Sequence, residues 1–316
     1  MPSVRSAPSA VTVSALLLGL VLSGCAKAEA PADPEPPIGQ VPVLLESRDL
    51  EYPIAAYLPT LGQRGSLAAA QDVLIDQCAR RWGFRYEFRR KVNPRAKWDN
   101  GRRYGISDPV LAGRLGYENP GDTGQAKPPP APVGPNEKLV LYGKEVDPSV
   151  RTPESQEEAE TSDVATVVVG GKKVPAGGCL RESALKLHSP KKTTIADMDV
   201  QAFDGDAYAR ARQDSRVVGV IKEWSACMKE AGHEMANPLD RPPGVEDAAA
   251  GGPRAIAIAK RDIACKRRTN LVGIWYTVEV AYQKRLIDQN AELLDQAKRE
   301  LEERLRYAST LVAQGA

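Results

Sequence analysis

The chain has 316 residues, with 43 Lys and Arg against 41 Asp and Glu, for a formal charge of +2. So balanced a charge nominates no polyanion as a partner, and none of nucleic acid type is expected. Phe, Trp and Tyr make up 5% of the residues beside 26 Gly and 25 Pro, which excludes a chain that is packed core throughout.

Arg5 is the only charge before an apolar run from about Ala10 to Leu22. That run is shorter than the roughly 20 residues a spanning helix needs. A basic start, a short apolar middle and small residues at its end mark a secretory signal peptide, residues 1–24. The ending Leu22-Ser23-Gly24-Cys25 resembles the bacterial lipobox. The resemblance implies cleavage before Cys25 and diacylglyceryl transfer to its sulfur, with the bilayer as partner and the extracytoplasmic face as location. Residues 25–45, with Pro31, Pro34, Pro36, Pro37 and Pro42, read as an extended, disordered stalk. No later segment approaches a transmembrane length.

In the mature chain, Leu67, Ala70, Leu74, Cys78 and Trp82 recur at helical spacing, predicting a helix over 66–82 that Gly83 ends. The piece FRYEFR that follows is strand-like. Asp108-Pro109 predicts an N-cap and first helical residue of a short helix ending near Gly116. Residues 119–136, 147–163 and 237–253 have loop or linker composition. KLVLY (138–142) and VATVVV (164–169) are strand-like, and Gly170-Gly171 is placed to turn a hairpin. Cys179 opens a short helix through Leu187. From about Asp204 the chain is helical, with a stripe Val217, Val220, Ile221, Trp224 and Met228 ending at Gly232.

A long helical pattern covers 254–313, where Ile287, Leu294, Leu301 and Ala308 fall seven apart. Such spacing serves a coiled coil or a helix docked on its own domain. The alternate heptad positions Asn290, Ala297, Arg304 and Leu311 make a poor seam and favour docking. Asp295 and Arg299, Glu300 and Arg304, and Glu302 and Arg306 are acid-first pairs four apart. The fold expected is therefore α+β and predominantly α-helical, with a small β-hairpin, long C-terminal helices and disordered linkers. Its parts are 46–118, a helical segment; 119–163, a largely flexible linker with a short strand; and 164–316, a hairpin and helical segment. Residues 46–316 are also compatible with one domain.

Beyond Cys25, four cysteines remain: Cys78, Cys179, Cys227 and Cys265. An even number outside the cytoplasm predicts disulfides, and without a C-x₂-C pair a zinc site is the weaker reading. Cys78 with Gly83 and Cys227 with Gly232 share the spacing C-x₄-G, each a cysteine in the last turn of a helix. Of three possible pairings, Cys78–Cys179 with Cys227–Cys265 is favoured, because the second joins helices flanking one loop. QCARRWGF, NGRRYGISD with LGYENP, and WSACMKEAG with DIACKRRTNLVGIW resemble uncharacterised secreted lipoproteins of high-GC Gram-positive bacteria. The resemblance reinforces the address and the disulfides and implies no reaction.

No nucleophile elbow, zinc-protease pair, P-loop or dinucleotide loop is present, so no catalytic residue, metal ligand or cofactor is assigned. His188 and His233 read as surface or boundary residues. Asp204 and Asp206 lack the rest of a calcium loop and read as polar residues at a helix start. Arg85, Arg89, Arg90, Lys91, Trp98, Arg102 and Arg103, interleaved with Tyr86, Phe88 and Tyr104, form a candidate polyanion-binding patch. The competing reading is a solvated loop whose aromatics enter the core. The expected role is non-catalytic binding or scaffolding in the envelope, with a wall polymer or envelope protein as partner. An envelope hydrolase with a carboxylate site is the alternative.

Overall fold

The computed structural model describes residues 34–86, 100–119, 133–145, 149–164, 167–246 and 249–315. Helix α1, Leu61–Arg80, starts ahead of its apolar stripe because Thr60 and Gln63 form a capping box. Helix α2, Pro109–Leu115, begins as expected at Asp108, whose carboxylate accepts from the amides of Val110 and Leu111. The strand reading of 138–142 is corrected: helix α3 occupies Pro135–Tyr142. Pro135 at the first helical position favours that start, and the adjacent pair Val140 and Leu141 is buried, where a strand would alternate. The 147–163 linker also contains a helix, α4 at Gln156–Thr161, capped by Ser155.

Strands β1, Val167–Val169, and β2, Lys172–Val174, pair antiparallel across Gly170-Gly171, with Val167 opposite Val174. Helix α5, Gly178–His188, follows at once. The C-terminal half comprises α6 (Asp197–Gln213), α7 (Ser215–Glu230), α8 (Pro253–Thr269), α9 (Leu271–Gln289) and α10 (Ala291–Gly315). The single long helix expected over 254–313 is thus three. Asn270 breaks it with a left-handed backbone (φ 52°), and Asn290 ends α9 with its amide bonded to the Leu286 carbonyl. Among the described residues no helix is long and apolar enough to cross a membrane.

Residues Pro36–Ala316 form one compact unit; of a second, Met1–Glu35, only Pro34 and Glu35 are described. Among its described residues the larger unit holds three buried clusters. The main one joins α6–α9 with Tyr52, Tyr104 and Tyr117 around Trp224 and Trp275. A second gathers Ile75, Val140, Leu141, Val169 and Val174 around Cys78 and Cys179. In the third, Leu301, Ala308 and Leu311 of α10 meet Leu67, Ala70 and Leu74 of α1. Helix α10 also sends Leu294 and Ala297 into the main cluster, so it docks on its own domain and splints two cores. Its Glu300 accepts from the Ile195 amide at 2.8 Å, and Arg304 pairs with Asp197 at 2.5 Å. Both side chains, expected to pair with each other, clamp the start of α6.

The expected disulfides are both present. Cys78–Cys179 joins the end of α1 to the start of α5 at a Cα separation of 5.5 Å. Cys227–Cys265 joins α7 to α8 at 5.6 Å. The 237–253 loop is not a free linker, because Val245 and Ala250 are buried in the main cluster.

Candidate functional site

The proposed basic patch divides. Arg89, Arg90, Lys91 and Trp98 lie outside the described residues, as does Cys25. Arg85 is exposed, its Nε 3.6 Å from Asp76 Oδ1. Arg102 and Arg103 are corrected from surface ligands to internal ties. A short 3₁₀ turn, Asn100–Arg102, is held to the body where the Asn100 amide donates to the Leu50 carbonyl. From it Arg102 donates to the carbonyls of Tyr117 and Glu118, while Arg103 points into the core. Tyr104 is fully buried, as the competing reading of that loop expects.

Arg103 centres the first of two interior charge networks. Its Nε donates to Glu279 Oε1 at 2.9 Å, and its terminal nitrogen bonds both Glu279 and Asp204, the latter at 2.7 Å. The Tyr104 hydroxyl donates to the other Glu279 oxygen at 2.8 Å and lies 2.9 Å from the Tyr52 hydroxyl. Gln283, one turn beyond Glu279, donates to Asp204 and accepts from the Ile54 amide. Burial pushes the Glu279 carboxyl above the ordinary range, against the pull of Arg103. For Arg103, burial works against the charge, but the Glu279 carboxylate carries the guanidinium further up. Asp204 and Asp206, expected at a helix start, lie inside α6, and Asp206 pairs with Arg210 four residues on. Among the described residues no cluster of His, Cys, Asp or Glu is arranged to hold a metal ion.

The second network joins α8 to the loops around it. Asp262 accepts from Trp224 Nε1 at 2.9 Å and from the Tyr117 hydroxyl at 3.2 Å, and pairs with Lys266 at 3.1 Å. The Lys266 ammonium also donates to the Ile106 and Pro238 carbonyls. Burial raises the Asp262 carboxyl and lowers the Lys266 ammonium, opposed in both cases by the partner's charge. Gly105 (φ 78°) is obligatory beside this pair, because a Cβ there would sit 2.0 Å from the Pro238 carbonyl. Both networks place donors on both carboxylate oxygens, an arrangement that fixes helices rather than one open to a substrate. Only Glu279 carried a sequence signal, as an acid inside the apolar run of α9; Asp262 and Lys266 lie among the exposed charges of a basic helix and are not set apart by pattern.

An accessible groove lies elsewhere among the described residues. Residues 36–44, expected in the stalk, run along α9 as a strap without regular secondary structure. At one end Arg216 donates to the Pro36 carbonyl at 3.0 Å. Burial pushes the Asp214 carboxyl up, but its paired bonds from Arg216 carry it net down, which keeps the anchoring guanidinium fixed. At the other end the Asn270 side chain makes both of its bonds to the strap. Its oxygen accepts from the Leu44 amide at 3.1 Å and its nitrogen donates to the Pro42 carbonyl at 3.0 Å. Gly273 permits this approach, since a Cβ there would lie 2.1 Å from that same carbonyl. Ile38 and Leu44 pack on the main core.

Between strap and α9 runs a groove of about 670 Å³. Pro36, Pro37, Ile38 and Pro42 wall one side. The helix supplies Val280 and Ala281, then Lys284 and Arg285, then Asp288. These α9 residues are spaced by about one turn and share a face. Glu279 and Asp262 do not line it.

No family model, curated protein or solved structure matches the chain.

Proposed function

We propose that the protein is a lipoprotein held on the extracytoplasmic face of a membrane through acylated Cys25, where it binds or scaffolds without catalysing a reaction. The observation that carries this reading is the strap, which follows the lipobox and forms one wall of an accessible groove. Eleven residue steps separate Cys25 from Pro36 in the sequence. Two disulfides support an oxidising compartment. An envelope hydrolase fits less well, because the buried acids Glu279 and Asp262 are matched by internal donors. The partner class is a membrane amphiphile, a wall polymer or an envelope protein.

Fractionating producing cells tests the anchor. Wild type should sediment with membranes, and Cys25→Ala should move at least about tenfold toward the exported soluble fraction, because the mutant loses its acyl chains. Equal membrane retention of Cys25→Ala would refute the reading.

A further inference from the structure

We infer that Cys78–Cys179 is a redox-sensitive latch, which a dithiol reduces ahead of Cys227–Cys265 to loosen the small cluster at the end of α1 while the main core stays folded. The inference goes beyond the binding role and does not rest on the membrane address. All four cysteines are buried, so neither bond meets a reductant without local opening, and the region that opens first decides the order. Cys227 and Cys265 belong to the main cluster with Trp224 and Trp275. Cys78 and Cys179 belong to the second cluster, where the eight-residue α3 and two three-residue strands supply Val140, Leu141, Val169 and Val174. Elements so short open at lower cost than the long helices of the main core.

The charges around the sulfurs point the same way. Arg81 keeps 46% of its side-chain exposure and brings a terminal nitrogen to 2.8 Å from Cys78 Sγ. Glu182 Oε2 lies 3.5 Å from the same sulfur, but that carboxylate is matched by ion pairs to Arg81 and Lys186. Cys179 is the second residue of α5, where the amide end of a helix favours a thiolate. Cys227 and Cys265 lie toward the C-terminal ends of α7 and α8, where carbonyls disfavour one. Cys78 is also near a helix end, but there Arg81 supplies the opposing charge. Attack therefore falls on Cys78, where the guanidinium draws the incoming thiolate, and Cys179 leaves as the stabilised anion. The reductant's second thiolate then attacks the reductant sulfur of the mixed disulfide, closes the reductant's own disulfide and expels Cys78. In sum the dithiol gives two electrons and two protons to the cysteine pair, less a proton for any sulfur that stays ionised. Gly178 at the head of α5 packs so closely on the end of α3 that a Cβ there would lie 2.5 Å from the Leu141 carbonyl, so loosening at Cys179 reaches α3 directly.

The test is a reduction time course on the oxidised full chain carrying Cys25→Ala, with dithiothreitol as the dithiol. Thiols are trapped with N-ethylmaleimide as they appear, and the labelled peptides are identified by mass. Cys78 and Cys179 should be labelled at least about tenfold faster than Cys227 and Cys265. Arg81→Gln should slow labelling of Cys78 and Cys179 at least about threefold and leave the other pair unchanged. If Arg81 were only a structural tie to Glu182, its loss would loosen the cluster and speed reduction, so the sign of the change separates the two roles. Hydrogen exchange of chain reduced at this bond alone should rise in α3 and the hairpin while α8 and α9 stay protected. Labelling of Cys227 and Cys265 at an equal or faster rate would overturn the inference, as would reduction of Arg81→Gln at or above the wild-type rate. Unchanged exchange in α3 after reduction would do so as well.

Discussion

Replacing Glu279 with alanine is expected to cost about 3–5 kcal/mol in urea unfolding with the disulfides intact, because it strands a buried guanidinium. Glu279 is wholly inaccessible, and Arg103 retains only 16% of its side-chain exposure. Truncation leaves Arg103 paired with Asp204 and removes the carboxylate acceptor of the Tyr104 hydroxyl. Glu279→Gln keeps the shape and one acceptor, so it should cost less, about 1–3 kcal/mol. Replacing Arg103 with methionine and Glu279 with leucine together should cost less than the sum of the two single changes, with a coupling of at least about 1 kcal/mol. A cost for Glu279→Ala below about 1 kcal/mol would show that the network does not hold the α6–α9 core together.

The disulfides are expected to differ in what they protect. In the chain-entropy picture, removing Cys227–Cys265, which closes 38 residues, costs about 4 kcal/mol, and removing Cys78–Cys179, which closes 101, costs about 5. The second bond lies in the small cluster of Ile75, Val140, Leu141, Val169 and Val174, whose two short strands and eight-residue α3 contribute little burial of their own. Cys78→Ala with Cys179→Ala should therefore raise hydrogen exchange first in α3 and the hairpin while α8 and α9 stay protected. Cys227→Ala with Cys265→Ala should raise exchange across α7 and α8 instead, since it loosens the helix pair that carries Trp224 and Asp262. If both double variants unfolded within about 1 kcal/mol of wild type, or exchanged alike, this division would fail.

Much of the scaffold was legible. Helical spacing located α1 and α7, the Asp108-Pro109 start was correct, and placing Cys227 and Cys265 on helices flanking one loop gave the observed pairing. KLVLY was misread because a five-residue apolar piece fits either period, and the deciding signal was Gly134-Pro135 ahead of it. The long C-terminal pattern hid two asparagine breaks, since helical spacing continues in phase across a single irregular residue. The basic run failed as a patch at Arg102 and Arg103 because composition does not say which way a side chain points; their partners Tyr117 and Glu279 lie 15 and 176 residues away. The strap was read as part of a disordered stalk, yet from Pro36 onward it is docked. Its docking depends on Asn270 and Gly273, more than 220 residues downstream, and no local pattern connects them to Pro42.

The measurement closest to the central claim is intact and peptide mass spectrometry of the protein taken from membranes of the cells that make it, without added reductant. The account predicts an N-terminal residue at position 25 carrying a diacylglyceryl group, and peptides linked as Cys78–Cys179 and Cys227–Cys265. An unmodified Cys25, or a chain recovered from the cytosol with its thiols reduced, would contradict it.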